Sequence, residues 1–272
     1  MSARPRWLHG LILGLFGLYA LIPVYLVILA SLRNEADLFA APLSFPWPPD
    51  LSHYRTMWVD GGFSQFFANS IVMSSASTAI VLLLAPAAGF AFAKLDFRGR
   101  ETLFGLFLVG LVVPAPSVIV ALYGNLQATG LLNTQIGVIL PQAAILLPFA
   151  VFMMRTVMRE VPKELLEAGM VDGVNTFQAF TRIALPMTRP GLGSLALIAF
   201  LFSWQEYLLP LVVIQTETLK PLTVGAATVQ GRYGVDYAGI ATAGIIAFAP
   251  LVALFLVMQR SFVRGLAVGA VK

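Results

Sequence analysis

Long apolar runs alternate along the chain with shorter polar segments. Six runs stand out, at residues 8–32, 66–93, 103–123, 136–154, 191–214 and 240–258. Each approaches or exceeds the roughly 20 residues that a helix needs to cross a bilayer, and none shows the alternation of a membrane β-barrel strand. The pattern therefore predicts an all-α membrane protein with six transmembrane helices. The first run follows Arg4 and Arg6, as the apolar stretch of a signal peptide would, yet it lacks a small-residue cleavage site and reads as a retained helix.

Composition agrees with the runs. Of 272 residues 58% are hydrophobic and 11% charged, against about 25% charged in a soluble domain. Basic residues sort by loop. Arg4 and Arg6 precede the first run, Lys94, Arg98 and Arg100 follow the second, Arg155, Arg159, Lys163, Arg182 and Arg189 follow the fourth, and Arg260, Arg264 and Lys272 follow the sixth. Of the 17 basic residues, that leaves Arg33, Arg55, Lys220 and Arg232 for the opposite side. The positive-inside rule then places both termini in the cytoplasm, and a net charge of +4 explained by topology gives no reason to expect a nucleic-acid partner. There is no cysteine, and His9 and His53 lie near or beyond the ends of the runs, so neither a thiol site nor a buried histidine metal site is expected.

Two outer segments are long, 33–65 and 215–239. The first carries Pro42, Pro46, Pro48 and Pro49, which predicts irregular chain with a short helix near Tyr54. Prolines inside the runs, Pro23, Pro86, Pro114, Pro116, Pro141, Pro148, Pro210 and Pro250, read as helix kinks. No internal repeat is evident, so the chain reads as one polytopic domain over 1–272, with its core at about 66–262.

The inner segment at about 155–190 is the least membrane-like. Pro162 suits the start of a short helix and Gly173 the left-handed position past its end. On that helix Val161, Leu165, Leu166, Gly169 and Met170 form an apolar stripe that must dock on something, because so short a helix is unstable alone. Asn175 and Gln178 have capping-box spacing, and a second short helix would end before Pro186; from these residues alone the pair reads equally as an amphipathic hairpin lying on the inner lipid surface.

The stretch Glu167-Ala-Gly-Met-Val-Asp-Gly173, followed by Ile183-Ala-Leu-Pro186, resembles the EAA loop of ABC importer permeases, with Gly169 in place of the usual second alanine. The resemblance continues through Ser31-Leu-Arg33, Asn69-Ser70, Ala91-Phe-Ala-Lys-Leu-Asp-Phe-Arg-Gly-Arg100, Gly130-Leu-Leu-Asn-Thr134, Trp204-Gln-Glu-Tyr207, Pro221-Leu-Thr-Val-Gly225 and the ending from Gln259 to Lys272. These are similar to the maltose-type carbohydrate permeases, and to the smaller, second member of the pair. The resemblance implies the type I ABC importer permease fold, a second permease subunit as heterodimer partner, two ATP-binding cassette ATPase subunits, an extracytoplasmic solute-binding protein and a prokaryotic plasma membrane. It implies that Glu164, Glu167, Ala168, Gly169, Asp172, Gly173 and Pro186 form the coupling element, with Gly169 small enough to keep close approach to the ATPase.

The chain itself carries no enzyme signature. No glycine precedes any lysine, so a P-loop is impossible, and ATP with Mg would be bound by the partner ATPases and not by this chain. Glu206 is the acidic residue inside a predicted helix, in the outer third of the membrane core, and must face water or a polar partner. With Trp204 and Tyr207, and with Ser70, Ser74 and Ser77 on one face of the second run, it is a candidate for the substrate pathway; helix packing is the competing reading for the serines and an interhelical hydrogen bond for Glu206. The alternative to an ABC permease is a self-contained secondary carrier or channel, which would place ionisable groups or broken helices near the midplane and would have no use for a large inner hairpin.

Overall fold

The computed structural model describes residues 6–34, 37–38, 43–232 and 236–270, and these contain helices and no strand. Arg4 and Lys272, and the side chains of Arg6, His9, Arg232, Arg260 and Arg264, lie outside the description. In chain order the helices are α1 (Arg6–Ser31), α2 (Ser52–Val59), α3 (Phe63–Lys94), α4 (Arg100–Val109), α5 (Ala115–Ala128), α6 (Ile136–Arg159), α7 (Lys163–Val171), α8 (Thr176–Met187), α9 (Arg189–Gln205), α10 (Leu208–Val213), α11 (Leu222–Arg232) and α12 (Tyr237–Ala270).

Among the described residues, four segments are single helices long and apolar enough to span a membrane: Gly10–Ser31, Phe63–Lys94, Ile136–Arg159 and Tyr237–Val257. They correspond to the first, second, fourth and sixth apolar runs. The third and fifth runs are each broken in two, so four of the six expected spans are single helices among the described residues. Pro114 has no N–H to return to the Gly110 carbonyl, and it disfavours helical backbone at Val113. The chain stops at Val109 and restarts beyond an extended Pro114 with α5. Pro210 acts likewise on Glu206, four residues earlier. Helix α9 ends at Gln205, and Glu206 is extended at φ −64° and ψ 126°. Pro23, Pro86, Pro141, Pro148 and Pro250 lie inside helices that continue past them.

By compactness the chain divides into residues 1–64 with 225–250, and residues 65–224 with 251–272. In the first unit the buried Ser31 hydroxyl accepts from Tyr54 Oη at 2.7 Å and donates to the Ile28 carbonyl at 2.8 Å. Asp50 Oδ1 accepts the Ser52 N–H at 2.8 Å, and this bond at the start of α2 holds its carboxyl below the usual carboxylate range. From Gly10 on, most of α1 presents apolar side chains outward, among them Leu13, Phe16 and Tyr19.

The second unit packs α3, α6 and α9 around Val81, Ala85, Ala143, Ala150, Val151, Met154, Leu195 and Ala199. Helices α3 and α6 approach closely, because a Cβ on Gly89 would come within 2.7 Å of Met154 Cβ and 2.8 Å of the Arg155 nitrogen. Polar side chains tie the non-helical ends together. Buried Asn69 donates through Nδ2 to the carbonyls of Thr218 at 2.8 Å and Lys220 at 2.9 Å, and its Oδ1 accepts from Gln65 and Gln135 at 3.1 and 3.0 Å. Asn133, left-handed at φ 59°, accepts the N–H groups of Gln215 and Thr216, both at 2.9 Å, and donates its own N–H to the Val213 carbonyl. Deep between the helices, Gln142 Oε1 lies 2.6 Å from Ser203 Oγ and 3.1 Å from Ser77 Oγ.

Each buried polar group left without a partner costs about 1–3 kcal/mol. Asn69→Leu should therefore lower the apparent melting temperature of the detergent-solubilised protein by several degrees. Ser77→Ala should move it far less, since Ser203 still serves Gln142. Equal shifts for the two variants would contradict this account of the Asn69 node.

Candidate functional site

Between α6 and α9 the chain of the second unit forms a hairpin, and each of its turns follows from local chemistry. Pro162, extended at ψ 133°, precedes α7, where its missing N–H costs nothing. Helix α7 ends in a Schellman arrangement. The Val174 N–H donates to the Gly169 carbonyl at 2.9 Å and the Gly173 N–H to the Met170 carbonyl at 3.1 Å, with Gly173 at φ 84°. Open space surrounds the position a Gly173 Cβ would take. The glycine is thus required by backbone conformation and not by crowding between the helices.

Limb α8 opens with the capping box expected from its sequence. Asn175 Oδ1 accepts the Gln178 N–H at 2.9 Å, and Gln178 Oε1 accepts the Asn175 N–H at 3.1 Å. The limb does not stop before Pro186. Ala179–Ala184 winds as a wider π-helix and Leu185–Met187 completes the last turn, so Pro186 sits inside it. A widened turn accommodates a residue that cannot donate a hydrogen bond. Thr188 then satisfies the Ala184 carbonyl with both its N–H and its hydroxyl, at 3.1 and 3.0 Å, and the chain bends by 80° into α9.

The expected apolar stripe divides into two faces. Val161, Leu166 and Gly169 are buried inward. A Cβ at Gly169 would meet the flexible end of Ile183, Cδ1, at 2.7 Å, so the small residue lies at the contact between the two limbs. The Phe180 ring lies 5.3 Å from that of Phe90 on α3. Leu165 and Met170 point outward, joined by Val171 at 88% exposure and Phe177 at 71%. Glu164, Glu167, Ala168, Asp172 and Gly173 are exposed beside them, whereas Pro186 is half-buried. Exposed apolar side chains and carboxylates thus stand together on the hairpin where the sequence placed the coupling element.

The six pathway candidates do not share one environment. Ser70, Ser74 and Ser77 are buried; Ser70 Oγ accepts the Leu222 N–H at 2.8 Å, and Ser77 faces Gln142 and the Ile139 carbonyl. These bonds fit the packing role. Trp204 is buried between Phe200, stacked at 5.6 Å, and Phe67, edge-on at 5.7 Å. Glu206 is half-buried at the break between α9 and α10, where its Oε1 accepts the Leu209 N–H at 3.1 Å. Its freed carbonyl accepts from Thr223 Oγ1 at 2.8 Å. Tyr207 beside it is exposed. Among the described residues no group of three or more His, Cys, Asp or Glu could hold a metal ion.

Two cations near the hairpin escaped attention as site residues, having been counted for topology alone. Arg155 is buried at 4% exposure, and Lys94 closes α3. The available signal was a cation inside the apolar end of a spanning helix.

Residues 82–268 match the family described as binding-protein-dependent transport system inner membrane component. The arabinooligosaccharides transport system permease protein AraQ of Halalkalibacterium halodurans is 33% identical over 98% of this chain and 96% of its own length. The diacetylchitobiose uptake system permease protein NgcG of Streptomyces coelicolor is 30% identical over 96% and 87%. The trehalose transport system permease protein SugB of Mycobacterium tuberculosis is 31% identical over 93% of each. Among solved structures, a chain of a bacterial ABC transporter that imports the acidic polysaccharide alginate superposes with a TM-score of 0.81 at 21% identity, covering 96% of this chain and all of that one.

A left-handed residue other than glycine costs about 1–2 kcal/mol, and asparagine tolerates the conformation best. Gly173→Val should raise amide exchange across α7 and α8, Gly173→Asn should do so much less, and Gly169→Leu should exceed both by displacing Ile183. Exchange mass spectrometry in detergent provides the check; a Gly173→Val hairpin as protected as the parent would contradict the turn assignment.

Proposed function

This chain belongs to the binding-protein-dependent transport system inner membrane components, and we propose that it is the smaller of two permease subunits in an ATP-driven importer of a carbohydrate. The fold supports this reading, being that of the type I ABC importer permeases. So do the relatives, whose names carry disaccharides and oligosaccharides. In this reading the chain crosses the membrane six times, with α4–α5 and α9–α10 as two broken crossings, and both termini lie in the cytoplasm. It binds no nucleotide. Two separate ATPase subunits do, with Mg, and an extracytoplasmic binding protein delivers the sugar.

The observation that carries the proposal is the exposure of Leu165, Met170, Val171 and Phe177 on the hairpin together with Glu164, Glu167 and Asp172. Exposed apolar surface of that kind, on a loop held rigid from behind, marks a protein contact. The ATPase closes on it and moves the hairpin, and α6 and α9, continuous with its two limbs, carry the motion into the membrane. At the far end of α9, Glu206 and Tyr207 border the sugar pathway, and Trp204 holds the break in place.

Three results are expected. Phe177→Asp with Val171→Asp should leave membrane insertion intact while ATPase copurification and reconstituted uptake fall by about tenfold or more, the scale of a lost interface anchor; full copurification would remove the hairpin from the contact. Single cysteines at Asp50 and Thr218 should react with an impermeant reagent outside spheroplasts while one at Thr176 does not, and the reverse pattern would invert the topology. Glu206→Gln should alter sugar uptake in complexes that still assemble; unchanged uptake would exclude it from the pathway.

A further inference from the structure

Helices α3 and α6 end side by side, and each takes its terminal cap from the other. The last four carbonyls of a helix have no partner within it and carry the negative end of its dipole. At the end of α3 the Phe92 carbonyl accepts from Arg155 Nε of α6 at 3.2 Å. At the end of α6 the Arg159 carbonyl accepts from Lys94 Nζ of α3 at 3.1 Å, and the same nitrogen bonds the Val161 carbonyl. One turn earlier the two backbones meet at Gly89, with no room for a methyl group.

The rest of Arg155 is committed as well. Its guanidinium pairs with Glu101 of α4 and lies 3.9 Å from the centroid of the Phe104 ring. Glu101 precedes the apolar run that begins at Leu103, and the bond from Arg155 holds its carboxyl below the usual carboxylate range. Val161, the second carbonyl bound by Lys94, is the residue before Pro162, where α6 hands over to α7. On the other limb Phe180 rests against Phe90 of α3. Helix α3 is therefore fastened to the root of the hairpin by Lys94 and to its returning limb by Phe90, although it is continuous with neither.

We infer that Lys94 and Arg155 are positioning residues which exchange caps between α3 and α6, so that displacement of the hairpin drives α3 as well as the helices continuous with it. This rests on the coupling role proposed above. Without the exchange the hairpin would still dock and hydrolysis would still run, but α3 would follow the motion loosely and ATP would be spent without transport.

The test uses the full complex, reconstituted with its ATPase subunits and binding protein, and reads ATP hydrolysed per sugar taken up. Lys94→Met is the first variant because Lys94 is half-exposed and its removal leaves Arg155 in place. Mutations along a coupling element shift coupling by about 2- to 30-fold, and Lys94→Met should raise the ratio within that range, with ATPase copurification unchanged and Lys94→Arg restoring the ratio. Glu101→Gln, which leaves all three carbonyl bonds intact, should raise it less. Arg98→Met removes an equally basic, exposed side chain from the same segment and should leave the ratio at the parent value. Parallel loss of copurification, hydrolysis and uptake in Lys94→Met would mark a merely structural residue and overturn the inference, as would an unchanged ratio or an equal effect of Arg98→Met. A parent chain that copurifies with no ATPase would instead refute the proposed function on which the inference stands.

Discussion

A helix that ends inside or beside a membrane leaves carbonyl groups with no water to receive them, and each must find a donor in the protein. In this chain that requirement is met repeatedly by a side chain from another element. Arg155 takes the end of α3, Lys94 the end of α6, Thr223 the carbonyl released at Glu206, and Asn69 two carbonyls of the segment after α10. The apolar core sets how closely α3, α6 and α9 pack. These donors set which ends stay together.

The consequence is mechanical. A hairpin of two limbs, α7 and α8, could not hold its shape on the strength of such short helices alone. It is rigid because the Schellman turn at Gly173, the capping box at Asn175 and the Gly169–Ile183 contact satisfy its backbone and core, and because Lys94 and Phe90 anchor it to α3. What remains outward is a surface with unsatisfied apolar area, suited to a partner that pushes. The breaks at Pro114 and Pro210 lie elsewhere in the same unit, away from the hairpin.

Much of this was legible in the residues. Run length gave the four single spanning helices, and Gly173, Asn175 and Gln178 gave the turn and cap, because capping depends on a few neighbouring residues. Legibility failed where an outcome depends on distant partners. Pro210 and Pro86 look alike in an apolar run, yet one breaks its helix and the other does not; at Glu206 the freed carbonyl accepts from the hydroxyl of Thr223, a residue distant in sequence. Ser70 and Ser77 share a helical face that could line a pore or a packed seam, and the partners the fold gives them, the Leu222 N–H and the Gln142 side chain, are distant in sequence. Gly169 was legible as small, but which neighbour required it was not. Lys94 and Arg155 looked like topology markers until the ends of α3 and α6 were seen together.

The central claim is that the face around Val171 receives the ATPase and moves with it. A single cysteine at Val171, in the complex reconstituted with an ATPase subunit carrying one cysteine in its permease-facing groove, measures this most directly through oxidative cross-linking across the nucleotide cycle. The account predicts a disulfide that forms in the assembled complex at every stage of the cycle and leaves uptake running, because the two parts move together. Cross-linking no greater than that of a cysteine at Leu13 on the exposed face of α1, or a disulfide whose formation arrests uptake, would contradict it.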